Sequence, residues 1–220
     1  MTLTPIEMLR KTAEQLGPLT KEVVFVGGTT TAIFITDTAA ASPRITDDVD
    51  CILQATKLIE FYRFAERLQK RGFSPDPEGP ICRYRSKEII IDVMPTDESI
   101  LGFSNRWYSE AVRYAQSVDI GKGIQIRTVT APYFVATKLD AFWGRGNNDF
   151  FASRDLEDVI AVIDGREELL DEIENKSTPQ LRSYLSEQIT TLFENQAFVL
   201  AVYSIHQNHC DAALVAGQLR

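Results

Sequence analysis

The feature that most constrains this chain is the stretch from Val23 to Leu53. In it an apolar run, Val23-Val24-Phe25-Val26, meets Gly27-Gly28-Thr29 and is followed by Arg44-Ile45-Thr46-Asp47-Asp48-Val49-Asp50-Cys51-Ile52-Leu53. The β-branched apolar run predicts a buried strand, and the paired glycines predict a sharp turn that lets other groups come close to the backbone. Thr29 to Ile35 reads as a helix capped by Thr29. Asp48 and Asp50 alternate with apolar Val49 and Cys51, so both carboxylates fall on one face of a second strand with their Cα atoms roughly 6.6 Å apart. Such a pair suits a hard divalent cation. Magnesium takes oxygen ligands and is typically held by one or two protein carboxylates plus the phosphates of a substrate. Gly27, Gly28 and Thr29 would present backbone N–H groups to those phosphates at a helix start, where negative charge is favoured. A nucleoside triphosphate satisfies both halves of the stretch.

Along the chain, Thr4-Pro5 opens a helix carrying Ile6, Leu9, Ala13 and Leu16 at helical spacing, and Gly17-Pro18 ends it. Thr36 to Pro43 reads as a loop. Lys57 to Arg71 is an amphipathic helix with Leu58, Ile59, Tyr62, Ala65 and Leu68 on its apolar face and Gly72 after its end. Ile81 to Arg85 and Glu88 to Met94 form a hairpin about Ser86-Lys87, and its second arm places Asp92 inside an apolar strand. A carboxylate there is costly without a partner: a cation, or Arg83 or Arg85 across the hairpin. Two short strands over Ile120 to Val129 turn at Gly121-Lys122-Gly123. A helix from Tyr133 to Arg145 carries Lys138, Ala141 and Arg145 on one face, broken by Gly144 and Gly146-Asn147-Asn148. Ser153 caps the next helix, Pro179 starts a long one, and Phe198, Val199, Val202, Tyr203 and Ile205 read as core.

A chain of 220 residues with 44% hydrophobic and 25% charged residues has room for two small domains sharing a core. Its net charge of -8 argues against a protein that coats nucleic acid non-specifically, since that needs clustered Lys and Arg. Cys51, Cys82 and Cys210 form no CxxC pair and read as core or surface thiols. His206 and His209 lie apart from every motif. The N-terminus has no signal pattern, and no apolar run approaches the ~20 residues of a membrane span, so the expected location is the cytoplasm.

Gly27-Gly28-Thr29, Asp48-Val49-Asp50 and the later Asp92 together resemble the nucleotidyltransferase fold of the DNA polymerase β superfamily. The extended pattern Arg44-x-Thr46-x-Asp48-x-Asp50, Lys138-x-x-Ala141-x-x-x-Arg145 and Arg154-Asp155-Leu156-x-Asp158 resembles its AbiEii toxin-like branch, which is known from phage-defence and toxin–antitoxin systems. The resemblance runs from Val23 to Ile163. It implies an α+β fold: a catalytic domain over 1–130 with a mixed sheet and flanking helices, then a helical domain over 131–220 that completes the cleft. It also implies metal-dependent transfer of a nucleoside monophosphate from an NTP to an acceptor hydroxyl on tRNA, a protein or a small molecule. Two Mg²⁺ ions would sit on Asp48, Asp50 and Asp92, with Asp92 able to take the acceptor proton. Gly27, Gly28 and Thr29 would hold the β and γ phosphates, Lys138 would add positive charge with Arg44 or Arg145 in support, and Asp155 would stand beside them. An antitoxin protein is an expected partner. A different class of reading is a non-catalytic regulator that binds nucleotide or a partner on the same fold.

Overall fold

The computed structural model describes residues 3–145 and 149–204. Helix α1 (Pro5–Leu16) begins where Thr4-Pro5 predicts. Thr4 Oγ1 accepts the Glu7 N–H at 3.3 Å, and Glu7 Oε2 accepts the Thr4 N–H at 2.9 Å. This reciprocal box satisfies donors that a helix start otherwise leaves unpaired. Gly17, at φ 57°, ends the helix, and a 3-10 segment, Gly17–Glu22, leads into β1 (Val23–Val26), every residue of which is buried.

After Gly27 the helix expected over 29–35 is reduced to a 3-10 turn, Gly28–Thr30, and one α turn, α2 (Thr31–Phe34). Thr29 does not cap it. The Thr29 hydroxyl donates to the Asp48 carbonyl at 2.6 Å and lies 3.0 Å from the Thr46 hydroxyl, while the Thr30 hydroxyl closes the turn on the Gly27 carbonyl at 2.8 Å. One α turn aligns few peptide dipoles, so the anion-attracting helix start read from the sequence is largely missing here.

The chain continues through β2 (Val49–Leu53), α3 (Leu58–Lys70), β3 (Ser74–Pro75), β4 (Arg83–Arg85), β5 (Ile90–Pro95), α4 (Glu98–Leu101) and α5 (Tyr108–Arg113). Then come β6 (Gln116–Asp119), β7 (Gln125–Thr128), α6 (Ala131–Arg145), α7 (Arg154–Gly165), α8 (Leu169–Lys176) and α9 (Pro179–Glu194). The strands form one mixed seven-stranded sheet in the order β3-β4-β5-β2-β1-β7-β6. β2 lies antiparallel to β1 and parallel to β5, and β1 is parallel to β7. The fold is thus α+β, as expected.

Strand alternation sorts the sheet into two apolar layers. Val23, Phe25, Cys51 and Leu53 face one way and pack with Leu9 and Leu16 of α1 and Phe61, Phe64 and Leu68 of α3. Val24, Val26 and Ile52 face the other way and share a cluster with Phe134 and Leu139 of α6, Leu156 of α7 and Leu181 of α9. Asp50 has the parity of Ile52, so it points toward the α6 side. Helix α6 is apolar on nearly every face and is buried accordingly, each large side chain contributing about 1.5–3 kcal/mol by burial. The boundary drawn at 130/131 falls between β7 and α6.

Several local readings shift. In α3 it is Phe61, Phe64, Ala65 and Leu68 that are buried, while Leu58, Ile59 and Tyr62 are exposed. Both sets fit a 3.6-residue period, and the two phenylalanines bury more apolar area than the competing set. The ribbon after α5 does turn at Gly121–Gly123, which have positive φ throughout, but its first arm lies upstream at Gln116–Asp119. Gly144 sits inside α6 and does not break it. Residues 196–204 are helical, with Phe198 buried and Tyr203 exposed, not core. Cys51 and Cys82 are buried free thiols. The readings made for Gly146-Asn147-Asn148, Ile205, His206, His209 and Cys210 lie outside the described residues.

Candidate active site

The site grows from one lateral row across three strands. Cα partners run Val26 to Asp50 between β1 and β2, Asp50 to Asp92 between β2 and β5, and Asp92 to Arg83 between β5 and β4. In-register partners point to the same face, so Asp50, Asp92 and Arg83 all emerge on the α6 side. Asp48, two residues before Asp50, joins them just ahead of the strand. Arg83 donates to Asp92 twice, from Nε to Oδ1 and from Nη2 to Oδ2 at 2.8 Å each, and its Nη2 also reaches Asp48 Oδ2 at 2.7 Å.

Asp50 takes no part in that clamp. It lines a cavity of about 570 Å³ between the central strands β1, β2 and β5 and α6, together with Gly27, Lys138, Arg145 and Asp155. Gly27 is obligatory beside it: φ is 81°, and a Cβ there would overlap the Asp50 carboxylate and lie 2.7 Å from the Asp50 Cβ. A Cβ on Gly28 would meet the Arg44 guanidinium and lie 2.9 Å from Thr46 Cγ2. The chain's own side chains therefore occupy the approach to both glycines, and Thr29 is fully buried with its hydroxyl engaged. Of the expected phosphate-binding turn, only Gly27 opens onto the cavity.

Burial pushes the Asp50 carboxyl up to about 7, with the Asp48 charge adding to the rise, Lys138 opposing it and Asp92 adding again. Some of its surface still reaches the cavity, yet the surrounding density makes desolvation the largest influence.

The cations come from the helical layer. Lys138 is 7% exposed and held by Asp155 Oδ1 at 3.0 Å and Asp158 Oδ2 at 2.6 Å. Burial works against its charge, but Asp158 and Asp155 more than offset that, and its pKa is raised. Arg44 lies two-pronged on Asp158 at 3.0 and 2.9 Å. Arg145 reaches Asp155 at 3.4 Å while its side chain is 74% exposed. The structure thus brings Asp50, Lys138, Arg145, Asp155 and Gly27 to one cavity, holds Asp48 and Asp92 on Arg83, and places Arg44 behind Lys138.

Two residues do more at the site than the sequence pattern indicates. Asp158 is 1% exposed and joins Arg44 to Lys138; its place three residues after Asp155 in α7 was the available signal. Arg83 was read only as a partner for Asp92, and its bond to Asp48 had no signal in local spacing.

Among the described residues no three His, Cys, Asp or Glu side chains are gathered closely enough to hold a metal ion as they stand. The donor chemistry still fits a hard divalent cation, because three carboxylates share one sheet face and Asp50 is raised by burial and by its acidic neighbours.

No described helix is long and apolar enough to cross a membrane. Neither a protein-family model nor a curated protein matches the sequence. Solved structures do match in shape. An antigenic nucleotidyltransferase-like protein from Paracoccidioides brasiliensis superposes with a TM-score of 0.54 at 14% identity, covering 91% of this chain and 92% of its own. The antibiotic-resistance factor ANT(2'')-Ia, in a solution structure described as revealing substrate-regulated conformation dynamics, superposes with a TM-score of 0.51 at 12% identity, covering 88% of this chain and 97% of its own. The chain has the fold of nucleotidyltransferase-like proteins.

Proposed function

We propose that the protein is a metal-dependent nucleotidyltransferase that moves a nucleoside monophosphate from an NTP to an acceptor hydroxyl. The observation that carries this is Asp50: a carboxylate without an ion pair among the described residues, at a cavity edge, flanked by Asp48 and Asp92 and faced by Lys138 and Arg145. Asp48, Asp50 and Asp92 would hold Mg²⁺. When bound, it supplies neutralisation of the leaving pyrophosphate and Lewis-acid activation of the reacting oxygens. Arg145, exposed at the cavity, meets the triphosphate, while Lys138 contributes its charge from within the Asp155–Asp158 pair. Gly27 leaves room for Asp50 to stand against the turn. The resemblance makes Asp92, buried in the cluster, the candidate proton acceptor for the acceptor hydroxyl, through lone pairs that the Arg83 fork leaves open.

A cavity of about 570 Å³ suits a nucleotide-sized ligand. The acceptor is a hydroxyl of tRNA, a protein or a small molecule. The AbiEii-like assignment, with a toxin role and an antitoxin partner, rests on the motif resemblance. It gains support from Arg44, Lys138, Arg145, Asp155 and Asp158, the residues of those motifs, meeting in one network. A second reading, a non-catalytic nucleotide-binding regulator, is favoured by the hold of Arg83 on two of the three carboxylates. The test is pyrophosphate release from each NTP with Mg²⁺ and cell lysate as the acceptor source. Release by the wild type that vanishes in Asp50→Asn supports the enzyme; nucleotide binding without release supports the regulator.

A further inference from the structure

Arg83 is built into the carboxylate cluster, not draped over it. Its backbone pairs with Asp92, and the turn before β4 covers its stem: a Cβ on Gly79 would lie 2.6 Å from Arg83 Cδ and 3.2 Å from its Cβ and Cγ. Its side chain is only 24% exposed. The grip is unequal. Asp92, with its side chain 11% exposed, receives two parallel bonds, whereas Asp48, at 35%, receives one. Two-pronged carboxylate–guanidinium contacts are the stronger kind, so Asp48 is the partner that can be given up.

A divalent cation needs the same oxygens. While Arg83 Nη2 holds Asp48 Oδ2 at 2.7 Å, the charge of that carboxylate is already compensated, and Asp50 is the one acid of the cluster left without an ion pair among the described residues to attract a free cation. A cation that arrives already bound to a triphosphate brings phosphate oxygens with it and asks for fewer protein ligands. Resting on the reading of this cluster as a metal site, we propose that Arg83 is its resident counter-ion, which a cation must displace from Asp48, so that the site takes up metal together with nucleotide and not alone. Arg83 then has two tasks. It keeps three neighbouring carboxylates compatible with the fold when no nucleotide is present, and it sets the order of loading.

The test uses Mn²⁺ as the probe, with free Mn²⁺ counted by electron paramagnetic resonance. Wild type, Arg83→Gln and Arg83→Lys, each as the full chain, are titrated with and without a non-hydrolysable NTP analogue. Wild type should bind Mn²⁺ weakly alone and much more tightly with the analogue. Arg83→Gln should bind Mn²⁺ alone about tenfold more tightly than wild type, the size of one charge-assisted contact. Arg83→Lys keeps a positive charge but lacks the planar fork, so it should fall between them; it carries the test if the Gln variant does not fold. Arg83→Gln should also melt at a lower temperature than wild type without metal and recover on Mn²⁺ addition. Equal or weaker Mn²⁺ affinity in both variants overturns the inference and leaves the metal site standing. Absence of Mn²⁺ binding in every protein, with and without the analogue, overturns the metal reading itself.

Discussion

The Arg44 guanidinium lies two-pronged on Asp158, with Nε 3.0 Å from Oδ1 and Nη2 2.9 Å from Oδ2, joining the loop before β2 to helix α7. Asp158 Oδ2 also receives Lys138 Nζ at 2.6 Å, so one buried carboxylate sets the position of two cations behind the cavity.

Removing that carboxylate should be costly. Asp158→Ala leaves two partly buried cations short of a partner, and breaking a buried pair in this way typically costs about 3–5 kcal/mol. Asp155 still holds Lys138, which places the expectation toward the lower end, near ~3 kcal/mol. Urea unfolding measures it, and a double-mutant cycle with Arg44→Ala should return a coupling of at least ~1 kcal/mol. A coupling near zero would mean that Arg44 is held by something other than Asp158.

Asp50 should make stability depend on pH in an unusual direction. Its pKa is raised from 3.8 to about 7, so between those values the folded state keeps a proton that the unfolded state has lost. The contribution of Asp50 to stability therefore falls as pH rises from about 4 to about 7, by an amount on the order of a few kcal/mol, against the opposite trend of the carboxyls whose pKa is lowered. Asp50→Asn, which imitates the protonated acid, should unfold at a higher temperature than wild type at pH 8 and at nearly the same temperature at pH 4. Parallel pH profiles for the two proteins would rule out the raised carboxyl.

Arg145 and Lys138 should part company in nucleotide binding. The family resemblance implies Lys138 as the principal phosphate contact with Arg145 in support, but Lys138 is already committed to two carboxylates whereas the Arg145 side chain is 74% exposed at the cavity. Arg145→Ala should weaken NTP affinity about tenfold with little change in melting temperature. Lys138→Ala should instead lower the melting temperature, because it leaves Asp155 and Asp158 with less compensation. Calorimetric NTP titration and thermal unfolding of both variants separate the two roles.

What was legible in the sequence is what short-range periodicity controls. Alternation along β2 puts Asp50 on a common face, and the β4–β5 hairpin sets Arg83 opposite Asp92. What was not legible depends on contacts between distant segments. Arg44 meets Asp158, Arg83 reaches back to Asp48, and no local spacing encodes either. Helix α3 shows the limit within a single element: Leu58, Ile59 and Tyr62 satisfy the same period as Phe61, Phe64 and Leu68, and only packing against β1 and β2 decides between them. Thr29 shows it at a turn, where a hydroxyl suited to capping found the Asp48 carbonyl 19 positions along the chain.

Gly27 ties fold and site together most tightly, and its substitution can tell the two apart. Gly27→Ala faces two penalties: a backbone at φ 81°, ψ -172°, a region used almost only by glycine and costing about 1–3 kcal/mol for a residue with a Cβ, and overlap of the new methyl with the Asp50 carboxylate. The first depends only on the backbone, and the second depends on Asp50. In an Asp50→Ala background the carboxyl atoms are gone and only the Cβ, 2.7 Å from the new methyl, remains in conflict. The cost of Gly27→Ala should then shrink by ~1 kcal/mol or more, a non-additivity expected of residues in direct contact. Urea unfolding of the two single variants and the double variant gives this number without any ligand. Equal cost in both backgrounds would mean that backbone conformation alone demands a glycine, and that Asp50 does not stand against the turn that opens onto the cavity.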